Sequence, residues 1–178
     1  MSWMTSRNDE TMTDDLAAMR RYARALARDV QDADDVVQDA LLRAIERQRT
    51  FKPQFSRRRW LLAIVHNVFI SGKRRQAAEL RRNDRFAETL MSQVDPEQEQ
   101  RVRLARIAHG FASLSEPHRS VLHLVVIEGL SYQEAADILG VPIGTIMSRL
   151  ARARAALKQN EDQGSSPAKL RIVGGRDD

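Results

Sequence analysis

The residues best equipped for chemistry lie between Ser131 and Lys158. Thr145, Ser148, Arg149, Arg152, Arg154 and Lys158 offer hydroxyl, guanidinium and ammonium donors, and no acidic residue stands among them. Donors without carboxylates suit phosphates and base edges, and small residues such as Ser148 and Ala151 let a backbone approach closely. Just upstream, Ser131 and Glu134 form the S-x-x-E pattern of a capping box, and Ala135, Ala136, Ile138 and Leu139 supply a core face. Gly140, Val141, Pro142, Ile143 and Gly144 make a tight turn, after which Ile146, Leu150, Ala153 and Leu157 point inward from a second helix over 145–158. Two helices about a tight turn, the second basic on one side, form a helix-turn-helix of the kind that enters a DNA major groove. The plainer alternative is an αα-hairpin with a solvated basic face. The coincidence of capping box, turn and one-sided charge weighs against it.

A second chemistry is written in the charge distribution. From Asp9 to Asp39 nine acidic residues face four arginines, whereas from Arg43 to Arg85 thirteen basic residues face three acidic ones. An acidic surface beside a basic one suits two partners, one basic and one anionic. The net charge of +5 and a pI near 10.2 agree with a polyanion as one of them. Catalysis is not expected. His66, His109, His118 and His123 lie on several elements, and His118 and His123 are five apart, not at the i, i+4 spacing of a metal pair. No P-loop, G-x-S-x-G or paired-carboxylate signature occurs. The absence of cysteine removes disulfides, thiol catalysis and Cys-ligated metals, so no cofactor and no metal are expected.

These groups need helices to position them. Leu16, Met19, Ala23 and Leu26 give a first amphipathic helix that Thr13 or Asp14 can cap. Asp32 is the expected N-cap of a second, with Asp34 and Asp35 in its first turn, Val37, Leu41 and Ala44 buried, and an end near Gln48. Thr50 to Arg58, with Pro53, reads as a loop. A third helix from about Arg59 is apolar on most sides (Trp60, Leu61, Ile64, Val65, Val68, Phe69) except for a polar line at Asn67, Ser71 and Arg74. Residues 77–100, with Pro96, read as a linker. Leu104, Ile107, Ala108, Phe111 and Leu114 restart a helical period. Ser115 and Pro117 then open a helix that buries Val121, Leu122 and Leu124 to Ile127 and ends at Gly129. The tail from Gln159 carries glycine, serine and proline and is expected to be disordered.

The fold is therefore expected to be all-α. Two small helical domains (12–76 and 101–158) are joined by a flexible linker, the second containing the helix-turn-helix, with a disordered tail over 159–178. A chain of 178 residues, 42% apolar, suffices for two small cores. Apolar runs such as Trp60 to Val65 fall far short of the ~18 residues of a membrane span, and the first ten residues are polar. No membrane insertion is expected, and the expected location is cytoplasmic.

The chain resembles the extracytoplasmic-function (group IV) sigma factors. Ala33-Asp34-Asp35-Val36-Val37-Gln38-Asp39-Ala40-Leu41 and Trp60-Leu61-Leu62-Ala63-Ile64-Val65-His66-Asn67 are similar to the family's region 2. Leu130-Ser131-Tyr132-Gln133-Glu134-Ala135-Ala136 and Pro142-Ile143-Gly144-Thr145-Ile146-Met147-Ser148-Arg149-Leu150, then Arg152-Ala153-Arg154, are similar to region 4. Arg21-Tyr22-Ala23-Arg24-Ala25-Leu26 and His66-Asn67-Val68-Phe69-Ile70-Ser71 resemble the general-stress-response subgroup.

The resemblance implies a promoter-specificity subunit with no catalysis of its own. It implies docking on the β′ clamp helices of core RNA polymerase, with the β subunit as a further contact, through Asp35, Gln38, Asp39 and Arg43. It implies that the loop Thr50–Arg59 captures a flipped base of the −10 element, with Ser56, Arg57, Arg58 and Asn67 as its donors and Lys73, Arg74 and Arg75 tracking phosphate. For the −35 element it implies Ser131, Tyr132, Thr145, Met147, Ser148, Arg149 and Arg152, the last three projecting opposite Ile146, Leu150 and Leu157. An anti-sigma factor is implied as inhibitory partner. Two positions depart from the family pattern: Ser71 stands where many members carry an acid, and Met147 where many carry a base. From a different class, a stand-alone helix-turn-helix repressor with a helical dimerisation domain would use the same C-terminal motif. Such a dimerisation domain needs no cluster of basic residues.

Overall fold

Alanine stripes set how closely the helices of this protein approach one another. The computed structural model describes residues 3–27, 29–52, 56–82 and 108–164. The elements are α1 (Trp3–Leu26), α2 (Val30–Glu46), a 3₁₀ turn (Gln48–Thr50) and α3 (Arg57–Arg82). Helical residues 108–113 (α4), α5 (Glu116–Leu122), a π turn (His123–Ile127), α6 (Tyr132–Leu139) and α7 (Ile143–Gly164) follow. The fold is all-α, with no strand among the described residues. The linker and its neighbours at 83–107, including Leu104 and Ile107, the loop residues 53–55 and the tail 165–178 lie outside the described residues.

Helices α1, α2 and α3 pack pairwise. Met19, Tyr22, Ala23 and Leu26 of α1 are buried together with Ala33, Val37, Ala40 and Ala44 of α2 and Leu62, Val65 and Val68 of α3. Several expected boundaries move. Helix α1 does not start at Thr13 or Asp14 but at Trp3, because no proline or glycine interrupts residues 3–12 and a capping residue alone does not stop a helix. The N-cap of α2 is Asp29, not Asp32. Its carboxylate accepts from the Gln31 and Asp32 amides at 3.1 and 3.4 Å, which leaves Asp32 in the first turn. The helix ends at Glu46, and Leu41 is 36% exposed instead of buried. The inward stripe is alanine-rich so that α1 and α3 can approach, which turns the leucines outward. Helix α3 begins at Arg57 and continues through residues 77–82, so both its flanks were expected as loop or linker and are helix.

In the C-terminal unit the capping box forms as expected. Ser131 Oγ accepts from the Glu134 amide at 3.2 Å, and Glu134 accepts from the Ser131 amide at 2.9 Å. These bonds hold the Glu134 carboxyl below the usual carboxylate range. Gly140 ends α6 at φ +62°, a conformation that disfavours any Cβ. Helix α7 starts two residues earlier than expected, at Ile143, and its helical turns continue through 159–164, where the tail was expected to be disordered. Ser115 occupies an N-cap position, but its Oγ meets His118 Nδ1 at 2.9 Å instead of a backbone amide. Val126 and Ile127, expected inside, are 55% and 52% exposed, because the π turn rotates them out of the buried stripe.

The two units pack against each other, α1 on α5 and the π turn, α3 on α6. Arg119 of α5 is 4% exposed and donates to Ala25 O (2.8 Å) and Leu26 O (3.2 Å) at the end of α1, and to Leu114 O (2.6 Å) and Ala112 O (3.3 Å). Its fork supplies the last carbonyls of α1 with donors from across the seam. Tyr22, fully buried, stacks on His123 with ring centroids 5.2 Å apart, and its Oη lies 3.2 Å from His66 Nδ1. Burial pushes the Tyr22 hydroxyl pKa well above its usual value, so it stays neutral.

Burial also pushes His123 down to about 4, against the pull of the Glu128 carboxylate 3.3 Å away. A histidine that is harder to protonate when folded adds stability above its unfolded pKa near 6.5, and that stability is lost as pH falls toward 4. Thermal unfolding should therefore show a stability loss on the order of 2–3 kcal/mol between pH 7 and pH 4 that His123→Gln largely removes. An equal pH slope in that variant would assign the loss to other groups.

Candidate nucleic-acid interface and acidic docking face

The exposed face of α2 carries the first set of residues. With α2 beginning at Val30, Asp29 and Asp32 sit where the helix dipole favours anions, whereas Asp35 and Asp39 lie beyond the first turn, where that effect has faded. Asp35, Gln38 and Asp39 are exposed, Arg43 is half-buried, and neither aspartate makes an ion pair among the described residues. Leu42 and Ile45 continue the same face at 61% and 67% exposure. These leucine and isoleucine side chains were not singled out in the sequence. Their signal was the i, i+3, i+4, i+7 spacing from Asp35 and Gln38, read past the acids into apolar residues.

The second set lies at both ends of α3. Ser56 stands just before the helix, its Oγ 3.4 Å from the Arg59 amide. Arg57 and Arg58 both pair with Asp15 of α1, at 2.7 and 3.4 Å, while their side chains remain 38% and 39% exposed. Arg59 reaches across to Asp137 and Glu134 of α6. Three arginines in a first turn that holds no acid oppose the helix dipole by roughly 0.3–1 kcal/mol each. A local rule broken in this way marks a surface selected for something other than the helix. Asn67, Arg74 and Arg75 are exposed, Ser71 is half-buried, and Lys73 lies 5.3 Å above the Phe69 ring and 3.4 Å from Glu116 of α5. Trp60 is half-buried against Phe51, ring centroids 5.4 Å apart, and packs on the core, as its register indicated.

The third set is on α6 and α7. Ile146, Leu150 and Ala153 are buried, and Ser148 and Arg152 are exposed on the opposite face beside Met147 at 55%. Gly144, Ser148, Ala151 and Ala155 make that face low and Arg152 stands above it. Arg149 does not share it. Half-buried on the flank, it lies close enough to His66 of α3 to help depress that imidazole's pKa, after the larger effect of burial and against Glu116. Thr145 and Tyr132 are also half-buried, Tyr132 packing on the core, and Ser131 is exposed with its hydroxyl held in the capping box. The three sets thus occupy three separate surfaces. Among the described residues no helix is long and apolar enough to cross a membrane.

Both units match known proteins. Residues 104–157 match the family "Sigma-70, region 4" and residues 12–66 the family "Sigma2 domain of PhyR". The chain is 33% identical over 177 residues to the ECF RNA polymerase sigma factor EcfG of Rhodopseudomonas palustris, covering 93% of this chain and 97% of that protein. It is 38% identical over 131 residues to the ECF RNA polymerase sigma factor SigC of Mycobacterium tuberculosis, covering 72% and 70%. Its fold is similar to that of the sigma factor RpoE of Bartonella quintana, solved in complex with the anti-sigma factor NepR. The TM-score is 0.74 and the identity 31%, with 88% of this chain and 97% of that chain covered.

Proposed function

The chain belongs to the extracytoplasmic-function RNA polymerase sigma factors, and from that membership we propose how its surfaces divide the work. As a sigma factor it binds core RNA polymerase and promoter DNA and directs transcription initiation. The α2 face docks on polymerase. Asp35, Gln38 and Asp39 supply the charge that meets basic residues of the β′ clamp helices, Arg43 borders them, and Leu42 and Ile45 supply the apolar area that charge alone lacks. The start of α3 and its polar line read and hold the melted −10 strand. There Ser56, Arg57, Arg58 and Asn67 offer donors to an extruded base, and Lys73, Arg74 and Arg75 meet phosphate. Helix α7 enters the major groove of the −35 element with Met147, Ser148 and Arg152 foremost. Ser131, Tyr132, Thr145 and Arg149 lie at the margins of that contact.

The observation that carries this reading is the one-sidedness of α7 over residues 143–158: a buried stripe of Ile146, Leu150 and Ala153, and opposite it a low, exposed face without acids. The likeness to EcfG and to the NepR-bound RpoE supports a place in the general-stress subgroup and an anti-sigma factor as negative partner. It also supports a cytoplasmic role in which polymerase, not this chain, performs the chemistry. Run-off transcription with purified core polymerase and a genomic promoter library tests the whole reading. Promoter-dependent initiation well above core alone is expected; its absence overturns the reading.

A further inference from the structure

We propose that Met147 and Ile143 read thymine at the −35 element through its 5-methyl group, so that this chain selects for a methyl where a cation at position 147 would select for guanine or phosphate. The inference rests on the assignment of α7 to that element. Ile143 and Met147 stand four apart on the first two turns of α7, are 45% and 55% exposed, and belong to no part of the core. A single exposed apolar side chain needs no explanation, but two neighbours at the leading end of a groove-entering helix do. At ~100° per residue, Gly144, Ser148, Ala151 and Ala155 form the centre of the exposed face. Ile143 and Met147 border this low ridge on one side, and Arg152 borders it on the other. The two borders therefore reach different bases.

The chemistry of the leading end suits a methyl group and little else. Over residues 142–148 the exposed side is made of Pro142, Ile143, Gly144, Met147 and Ser148. None of these carries a charge, and the Ser148 hydroxyl donates to Thr145 O at 3.1 Å. A border that met phosphate would need cations, and one that met the polar edge of guanine or adenine would need hydrogen-bonding groups. Methionine and isoleucine supply neither. The apolar feature that a base pair shows in the major groove is the thymine methyl. An unbranched, polarizable thioether adapts its shape to such a group, and burying one methyl is worth about fourfold in an equilibrium constant.

Initiation by the full-length chain with core polymerase, run on templates randomised over the −35 element, gives the preferred sequence. Synthetic templates then carry deoxyuridine in place of each thymidine of that sequence in turn, on either strand, which deletes the methyl and nothing else. One or two positions should lose about fourfold in initiation at limiting polymerase, and the others nothing. Met147→Gln, similar in length but polar, should bring the thymine-to-uracil ratio at one of these positions to about one, and Ile143→Ala should do so at the same position or its neighbour. The base preference that Arg152→Ala removes should persist in both variants. Met147→Arg should exchange thymine for guanine at its position by about fivefold or more. Equal helicity by circular dichroism keeps the comparison to folded chains. A preferred sequence without thymine on either strand, or uracil equal to thymine at every position, overturns the proposal. So does a ratio unchanged in Met147→Gln, the result expected if the exposed pair serves a protein partner. A wild-type chain that initiates with no −35 preference overturns the assignment of α7 instead, so the two failures are distinct.

Discussion

Reversing Asp35 and Asp39 to lysine should lower affinity for core polymerase by about 100-fold or more while leaving helical content unchanged. Like charges brought together at an interface cost several kcal/mol, and 100-fold corresponds to about 2.7 kcal/mol. The fold should barely register the change. Both residues are exposed, neither makes an ion pair among the described residues, and both lie past the first turn of α2, where the dipole contribution is small. Asp29 and Asp32, which do serve the start of α2, provide the control. Removing the Asp29 cap should cost about 1 kcal/mol of stability and little affinity. Titration of labelled sigma factor with core polymerase gives the affinities, and thermal unfolding gives the stabilities. Core binding that survives both reversals would move the docking surface elsewhere, in the first instance to Leu42 and Ile45 alone.

What could be read from residues alone follows the range over which each interaction acts. The capping box at Ser131 and Glu134, the turn at Gly140 and the buried stripe of α7 involve neighbours within about a turn, and the structure has them as the spacing indicated. Helix starts were less legible. Asp29, Asp32 and Asp34 all satisfy the local chemistry of an N-cap, and the choice of Asp29 depends on where α1 must stop. Burial on α2 was misread for a similar reason. A leucine at position 41 suits a core by its hydrophobicity, but three helices packed this closely have room for alanine on that line. Least legible was the seam between the units. Arg119 finds its acceptors 93 and 94 positions away, and Arg21 finds Glu128 at a separation of 107. No periodicity reports such pairs. The clue available was indirect: three arginines opening α3 against its dipole need acids from elsewhere, and α1 and α6 provide them.

Arg152→Ala should reduce initiation most on promoters with an intact −35 element. The residue stands on the exposed face of α7, opposite Ile146 and Leu150, among side chains too small to keep it from a base edge. An arginine bidentate to guanine contributes about 1–3 kcal/mol of discrimination, so the loss should be roughly 5- to 150-fold and confined to one or two base positions. Arg149→Ala should behave differently. Half-buried on the flank of that face, Arg149 is placed for phosphate, and its loss should weaken all −35 sequences alike and lower the salt slope by about one. Neither change should alter core binding, since α7 and the α2 face lie in different units. Initiation across a library of randomised −35 sequences, measured at two salt concentrations, separates the roles. A uniform loss for Arg152→Ala would make it a phosphate contact, and undiminished initiation at every −35-dependent promoter would exclude this face of α7 from the interface.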